Sequence, residues 1–155
     1  MAGVEIERKF LVDDLPAHLD AEESRPLRQG YVALDGDTEV RVRDDAGTWW
    51  LTVKRGGGLR RVEEEVRLDP RQGEALWSLT EGRRIEKVRH RMACGGAVLE
   101  VDVYDGDLRG LVVAEAEFDD EATAASWAGP SWLGREVTDD GAYKNRALAT
   151  EVRPG

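Results

Sequence analysis

Charged residues in this sequence recur at every second position, in groups. Glu5, Glu7 and Lys9 alternate near the start. Arg41 and Arg43, Glu63, Glu65 and Arg67, Lys87, Arg89 and Arg91, Glu100 and Asp102, and Glu115 and Glu117 repeat that spacing, and Lys54 follows the hydroxyl residue Thr52 at the same interval. Carboxylates bind hard divalent cations such as Mg²⁺ or Mn²⁺, which take oxygen ligands and also bridge phosphates. Lys and Arg grip phosphate oxygens. Both sets together suit a polyanion that arrives with divalent cations. Nucleophilic chemistry by thiol or imidazole has little support. Cys94 stands alone, which excludes an internal disulfide, and with only His18 and His90 beside it a structural zinc site is implausible.

A spacing of two needs β-strands to give it meaning, because alternate residues of a strand face opposite ways. Strand signals cover Val4–Val12, Leu27–Leu34, Thr38–Asp44, Thr48–Arg55, Arg61–Leu68, Arg84–Met92, Ala97–Tyr104 and Leu111–Phe118. Turn residues separate them: Asp35-Gly36-Asp37, Asp45-Ala46-Gly47, Gly56-Gly57-Gly58, Gly95-Gly96 and Asp105-Gly106-Asp107. Asp69-Pro70 reads as a helix N-cap and first helical position, with Gln72 placed for a capping box, leading into Glu74–Leu79. Asp119 or Asp120 caps a helix over Glu121–Trp127. Further helices are expected over Asp14–Glu23 and Gly141–Thr150. Irregular stretches are expected to be short, and no repeat or linker stands out. The class is α+β and largely antiparallel.

Sorted by parity, nearly every strand has one apolar face and one charged face. The charged face tends to one sign: Glu5/Glu7, Glu63/Glu65, Glu100/Asp102 and Glu115/Glu117 against Arg41/Arg43 and Lys87/Arg89. An ordinary solvated face mixes signs. Like charges at i, i+2 repel and call for compensation. A closed eight-stranded antiparallel β-barrel, with the charged faces inward and the helices packed outside, resolves this. Its lumen is unfavourable when empty, since buried charge must be paired or metal-bound. His90 has the parity of Val88 and faces away from that lumen. The Trp residues are expected to pack helices on the barrel exterior, except Trp50, which shares the parity of Lys54 and is placed to line an entrance.

Composition narrows the field further. The 155 residues suggest a single domain over 1–155 with a real core. Lys and Arg number 22 against 32 Asp and Glu, so the formal charge of -10 argues against duplex nucleic acid as a partner. No apolar run approaches the ~18 residues of a membrane helix. MAGVEIERKF carries acids where a signal peptide needs an apolar run, so a cytoplasmic location is the default expectation.

Glu5-Ile6-Glu7-Arg8-Lys9 is an ExExK motif on the first expected strand. With Arg41-Val42-Arg43, Thr52-Val53-Lys54, Glu63-Glu64-Glu65, Lys87-Val88-Arg89, Glu100-Val101-Asp102, Glu115-Ala116-Glu117 and Tyr143-Lys144-Asn145, it resembles the CYTH family, the triphosphate tunnel metalloenzymes. The resemblance runs from Glu5 to about Ala149. It implies an eight-stranded antiparallel tunnel, a triphosphate substrate and one or, more in keeping with the acid set, two Mg²⁺ or Mn²⁺ ions. Family activities are hydrolysis of inorganic triphosphate, thiamine triphosphate or RNA 5′-triphosphate ends, and adenylate cyclisation.

On that resemblance, Lys9, Arg41, Arg43, Lys54, Lys87 and Arg89 hold the triphosphate, with Arg67 and Arg91 as weaker candidates. Glu5, Glu7, Glu115 and Glu117 bind a first metal, and Glu63, Glu65, Glu100 and Asp102 complete a second site or orient water. The division of the acids between two sites stays open. Glu5, Glu7, Lys9, Arg41 and Lys87 form the expected catalytic set. Tyr143 and Asn145 belong to a helix closing one tunnel end. Three activities fit: a metal-dependent triphosphatase acting foremost on inorganic tripolyphosphate, a class IV-type adenylate cyclase, or a non-catalytic polyphosphate or nucleotide binder. The complete acid set disfavours the last. A monomer or a homodimer is expected.

Overall fold

The computed structural model describes residues 6–56 and 62–150. The eight expected strands form: β1 (Ile6–Leu11), β2 (Glu23–Asp35), β3 (Thr38–Asp45), β4 (Thr48–Arg55), β5 (Val62–Leu68), β6 (Arg84–Cys94), β7 (Ala97–Tyr104) and β8 (Val112–Phe118). Three short helices accompany them: α1 (Pro70–Trp77), α2 (Glu121–Ser126) and α3 (Asn145–Thr150). Strand pairing is antiparallel throughout the pairs described below, as the hairpin turns require. The chain divides into two compact units. The first comprises the residues up to Arg25 and Lys87–Gly141, the second Pro26–Glu86 and the residues from Ala142 on.

In the first unit β1 pairs with β8, β8 with β7, and β7 with β6. The β6–β7 turn is Gly95-Gly96, with φ of 53° and 85°. A two-residue turn with both φ positive is the one whose twist suits a hairpin, and glycine reaches it without strain. One face of this sheet is apolar. Phe10, Met92, Leu99, Val101, Ala114, Ala116 and Phe118 pack beneath Ala124 of α2 and Trp127. Asp120 caps α2 by accepting from the Thr123 amide. Arg8 shares this face. Its guanidinium clamps Glu136 at 2.7 Å and donates to the Ala124 and Trp127 carbonyls, so it ties β1 to the end of α2.

In the second unit β2, β3, β4 and β5 pair in sequence order. The register slips between Tyr31 and Ala33, a bulge on β2. The apolar face buries Val42, Trp49 and Trp77, so that α1 covers the sheet. The expected capping box is present: the Asp69 carboxylate accepts from Gln72 N while the Gln72 side chain accepts from Asp69 N. Gly73 is the point of closest approach, since a Cβ there would stand 2.3 Å from the Trp49 ring. The Arg28 guanidinium lies over both Trp49 and Trp77 and bonds Asp44, which fixes the helix laterally.

Three local expectations fail. Residues 14–23 form no helix. Pro16 biases Leu15 away from helical backbone, Leu15, Leu19 and Ala21 rest on the first unit's core as an irregular strap, and Glu23 already belongs to β2. The expected helix over Gly141–Thr150 is broken into a 3₁₀ turn (Gly141–Tyr143) and α3. Tyr143 and Leu148 are both buried, and one continuous helix would point them about 140° apart. Irregular structure is not confined to short turns. Residues 127–140 run largely without regular structure, yet they add to the free edge of β1: Leu11 N donates to Arg135 O, and Val137 N to Lys9 O. No described helix is long and apolar enough to cross a membrane.

Candidate active site

The face opposite each apolar core carries the charges, and register decides which charges meet. In the first unit Glu7 stands across from Glu117, Lys9 across from Glu115, and Glu115 across from Glu100. Carboxylates are thereby concentrated where β1 meets β8. One oxygen each from Glu7, Glu115 and Glu117 lie within 4.8 Å of one another. Three carboxylates so close repel unless a cation joins them. An all-oxygen acidic set of this kind fits Mg²⁺ or Mn²⁺ by donor chemistry. Glu5, expected to join them, lies outside the described residues.

Farther along the same face the charges neutralise each other. Asp102, buried on β7, accepts from Lys87 Nζ at 2.8 Å and from Arg89 through Nε at 2.8 Å and Nη2 at 2.9 Å. Burial pushes the Asp102 carboxyl up, but the Lys87 charge and the Arg89 hydrogen bond outweigh it and hold it down to about 2. Burial also lowers Arg89, and the Asp102 bond and charge reverse this, leaving its pKa raised. Lys87 Nζ lies 5.3 Å from the centre of the Tyr104 ring, a second restraint on a buried ammonium. Glu100 is buried beside Arg89 at 3.6 Å and Arg91 at 3.9 Å. Asp102 thus has both oxygens engaged by cations, and Glu115 adds its negative charge to the field on Arg89.

The second unit is the converse. Along its charged face three register rows run from β2 to β5. The first is Gln29, Arg43, Trp50 and Arg67; the second is Tyr31, Arg41, Thr52 and Glu65; the third contains Glu39, Lys54 and Glu63. Arg41 and Arg43 therefore have uncharged residues on both sides. Arg41 Nε is buried with no hydrogen-bond partner among the described residues. Lys54 is flanked by two acids and lies 3.7 Å from Glu63. Arg67 is exposed, 5.9 Å from the Trp50 ring, and Glu63 and Glu65 are exposed on β5. Burial raises the Tyr31 hydroxyl pKa above its ordinary value, against the pull of the Arg41 charge.

Several residues on these faces carried no expectation. Glu39 is buried with the parity of Arg41 and Arg43, and that parity was sufficient to find it. Its presence breaks the one-sign pattern of β3. Gln29, Tyr31 and Tyr104 are uncharged and so leave no trace in a charge pattern. The pairing of Asp102 with Arg89 follows from the Gly95-Gly96 turn, because a two-residue hairpin fixes every later pair in the ladder. His90 lies across from Val101, on the apolar side, and its Nδ1 is 2.7 Å from Ser24 Oγ. Tyr143 is buried in the second unit.

Known proteins resemble this chain over nearly its whole length. The CYTH domain matches residues 3–145. An inorganic triphosphatase of Nitrosomonas europaea is 44% identical over 151 residues, covering 96% of this chain and 98% of its own length. An inorganic triphosphatase of Acetivibrio thermocellus is 40% identical over 148 residues, covering 94% and 93%. A crystal structure of an inorganic triphosphatase superposes with a TM-score of 0.82 at 41% identity, covering 99% of both chains.

Proposed function

The chain belongs to the CYTH domain family, and from that premise we propose that it hydrolyses inorganic triphosphate to pyrophosphate and phosphate with a divalent cation. Two curated relatives at 44% and 40% identity are inorganic triphosphatases, and each is covered over nearly its full length. The observation that carries the reading is the segregation of charge: a three-carboxylate cluster on one sheet face and, on the other unit's face, guanidiniums with uncharged register neighbours.

In this reading Glu7, Glu115 and Glu117 would hold the ion, together with Glu5, two positions before Glu7 in the sequence. When bound, the ion supplies positive charge that acidifies water and offsets the phosphates. Arg41 and Arg43 bind the phosphate oxygens, and Lys54 adds a point charge tempered by Glu39 and Glu63. Lys9, Lys87, Arg89 and Arg67 are proposed to extend the same field. Asp102 orients Lys87 and Arg89 rather than binding the ion, because both of its oxygens already accept from them. Glu100, Glu63 and Glu65 are the remaining candidates for a second ion. Water attacks the terminal phosphorus in line; its oxygen bonds to phosphorus as the bridging P–O bond breaks, and pyrophosphate leaves with the electron pair. Closure of the strands into a tunnel with charged faces inward is part of the proposal.

The test is direct. Purified protein with Mg²⁺ or Mn²⁺ is given tripolyphosphate, ATP or thiamine triphosphate, and the products are resolved. Phosphate and pyrophosphate from tripolyphosphate, abolished by a chelator, are expected. Cyclic AMP from ATP would replace the reading with a cyclase, and no turnover of any substrate would replace it with a binding module.

A further inference from the structure

Within that triphosphatase reading, on which the next step rests, we infer that Gln29 is a further substrate-binding residue that donates from its side-chain amide to a phosphate oxygen. Gln29 lies on β2 at 3% exposure, as deep as the core aromatics. Neither its Oε1 nor its Nε2 has a hydrogen-bond partner among the described residues. Burial raises the Tyr31 pKa and a weak side-chain hydrogen bond from Gln29 pulls it back, but no hydrogen bond of strict geometry satisfies either amide atom. A carboxamide offers two donors and an acceptor. Roughly 90% or more of buried polar groups in folded proteins are partnered, so a buried amide with both ends unmet calls for a ligand.

Its neighbours say which ligand. Gln29 is in register with Arg43 and shares a sheet face with Arg41, whose Nε is likewise buried and unmet. The alternate positions, Arg28 and Gly30, face the other way, toward Trp49 and Thr80 respectively. A side chain placed there to balance the arginines would be a carboxylate, as Glu39 is beside Lys54 on the same face. A neutral amide adds a donor beside them and brings no negative charge. An anion rich in oxygen acceptors, such as a phosphate of tripolyphosphate, satisfies Nε2 and the guanidiniums together. Position 29 is thus one of binding, not of proton transfer, because an amide does not titrate.

Gln29→Met keeps the shape and removes both polar ends. Unliganded, it should melt at or above the wild-type temperature, since an unmet buried polar group has been replaced by an apolar one. Its KM for tripolyphosphate should rise about 10-fold or more, with kcat changed less, as for a lost bond to a charged group. The rise in melting temperature that tripolyphosphate produces in EDTA should shrink. Gln29→Glu, which sets a negative charge beside the phosphates, should raise KM further. KM and ligand-induced shift within two-fold of wild type in both variants would overturn the inference, as would a lowered melting temperature with unchanged KM. Failure of the wild-type protein to turn over tripolyphosphate would instead defeat the hydrolase reading. The melting shift in EDTA would still judge Gln29 by itself.

Discussion

The two units use the same device, a sheet with one apolar and one charged face, and arrive at opposite electrostatics. In the first, register sets Glu7 against Glu117 and Glu115 against Glu100, while Lys87 and Arg89 pair with Asp102 and Arg89 also faces Glu100. Acids outnumber bases on this face where β1 meets β8. In the second, Arg41 and Arg43 are bordered by Gln29, Tyr31, Trp50 and Thr52, so what remains is a surplus of guanidinium. Composition does not produce this contrast, since both units carry acids and bases. It arises from which strands are neighbours and in what register. In the proposed reading one face suits a cation and the other an anion.

The contrast can be broken most severely at Asp102. Asp102→Asn leaves Lys87 and Arg89 buried against a neutral amide, and removing one partner of a buried ion cluster costs about 3–5 kcal/mol. Chemical denaturation should show that loss. The same group sets an acid limit. Its folded pKa, about 2, lies below the ordinary 3.8. The stability it contributes is complete above pH 4 and disappears as pH falls through 2, an effect of about 2 kcal/mol. An acid titration in which Asp102→Asn shows the same slope as wild type in that window would refute the pairing.

Next in size is the metal face. Glu7→Gln should reduce metal-dependent turnover about 100-fold or more, on the scale of lost transition-state charge stabilisation, while the melting temperature stays within a few degrees. Full activity in that variant would remove Glu7 from the ion site. Smallest is a control at the start of α1, the helix that covers the apolar face of the second unit's sheet. Asp69→Ala removes the capping box of α1 and should cost about 1 kcal/mol of stability with kcat and KM unchanged. A large effect on KM would mean that α1 does more than cover the sheet.

Much of this was legible in the sequence, for a physical reason. A period of two survives in the residue order, so the parity of Glu7, Lys9, Arg41, Lys54, Lys87 and Glu117 could be read without coordinates. The Asp69 cap was legible because it is local. Hydrogen bonding between distant backbone segments is not legible. The run from Trp127 to Asp140 joins β1 through main-chain amides, which no side-chain pattern announces. Residues 14–23 have helix-like spacing of Leu15 and Leu19, but Pro16 and the contacts of both leucines with the core prevail. Gln29 escaped notice because an uncharged residue gains significance only from the arginine across the ladder.

Whether one face takes the cation and the other the anion can be decided by measuring two affinities separately in two variants. Calorimetry would give Mn²⁺ binding without phosphate and tripolyphosphate binding in EDTA for Glu115→Gln and for Arg41→Gln. Glu115→Gln should weaken Mn²⁺ at least about 10-fold and leave metal-free tripolyphosphate unweakened, while Arg41→Gln should do the reverse. Loss of both affinities in both variants, or of neither in either, would contradict it.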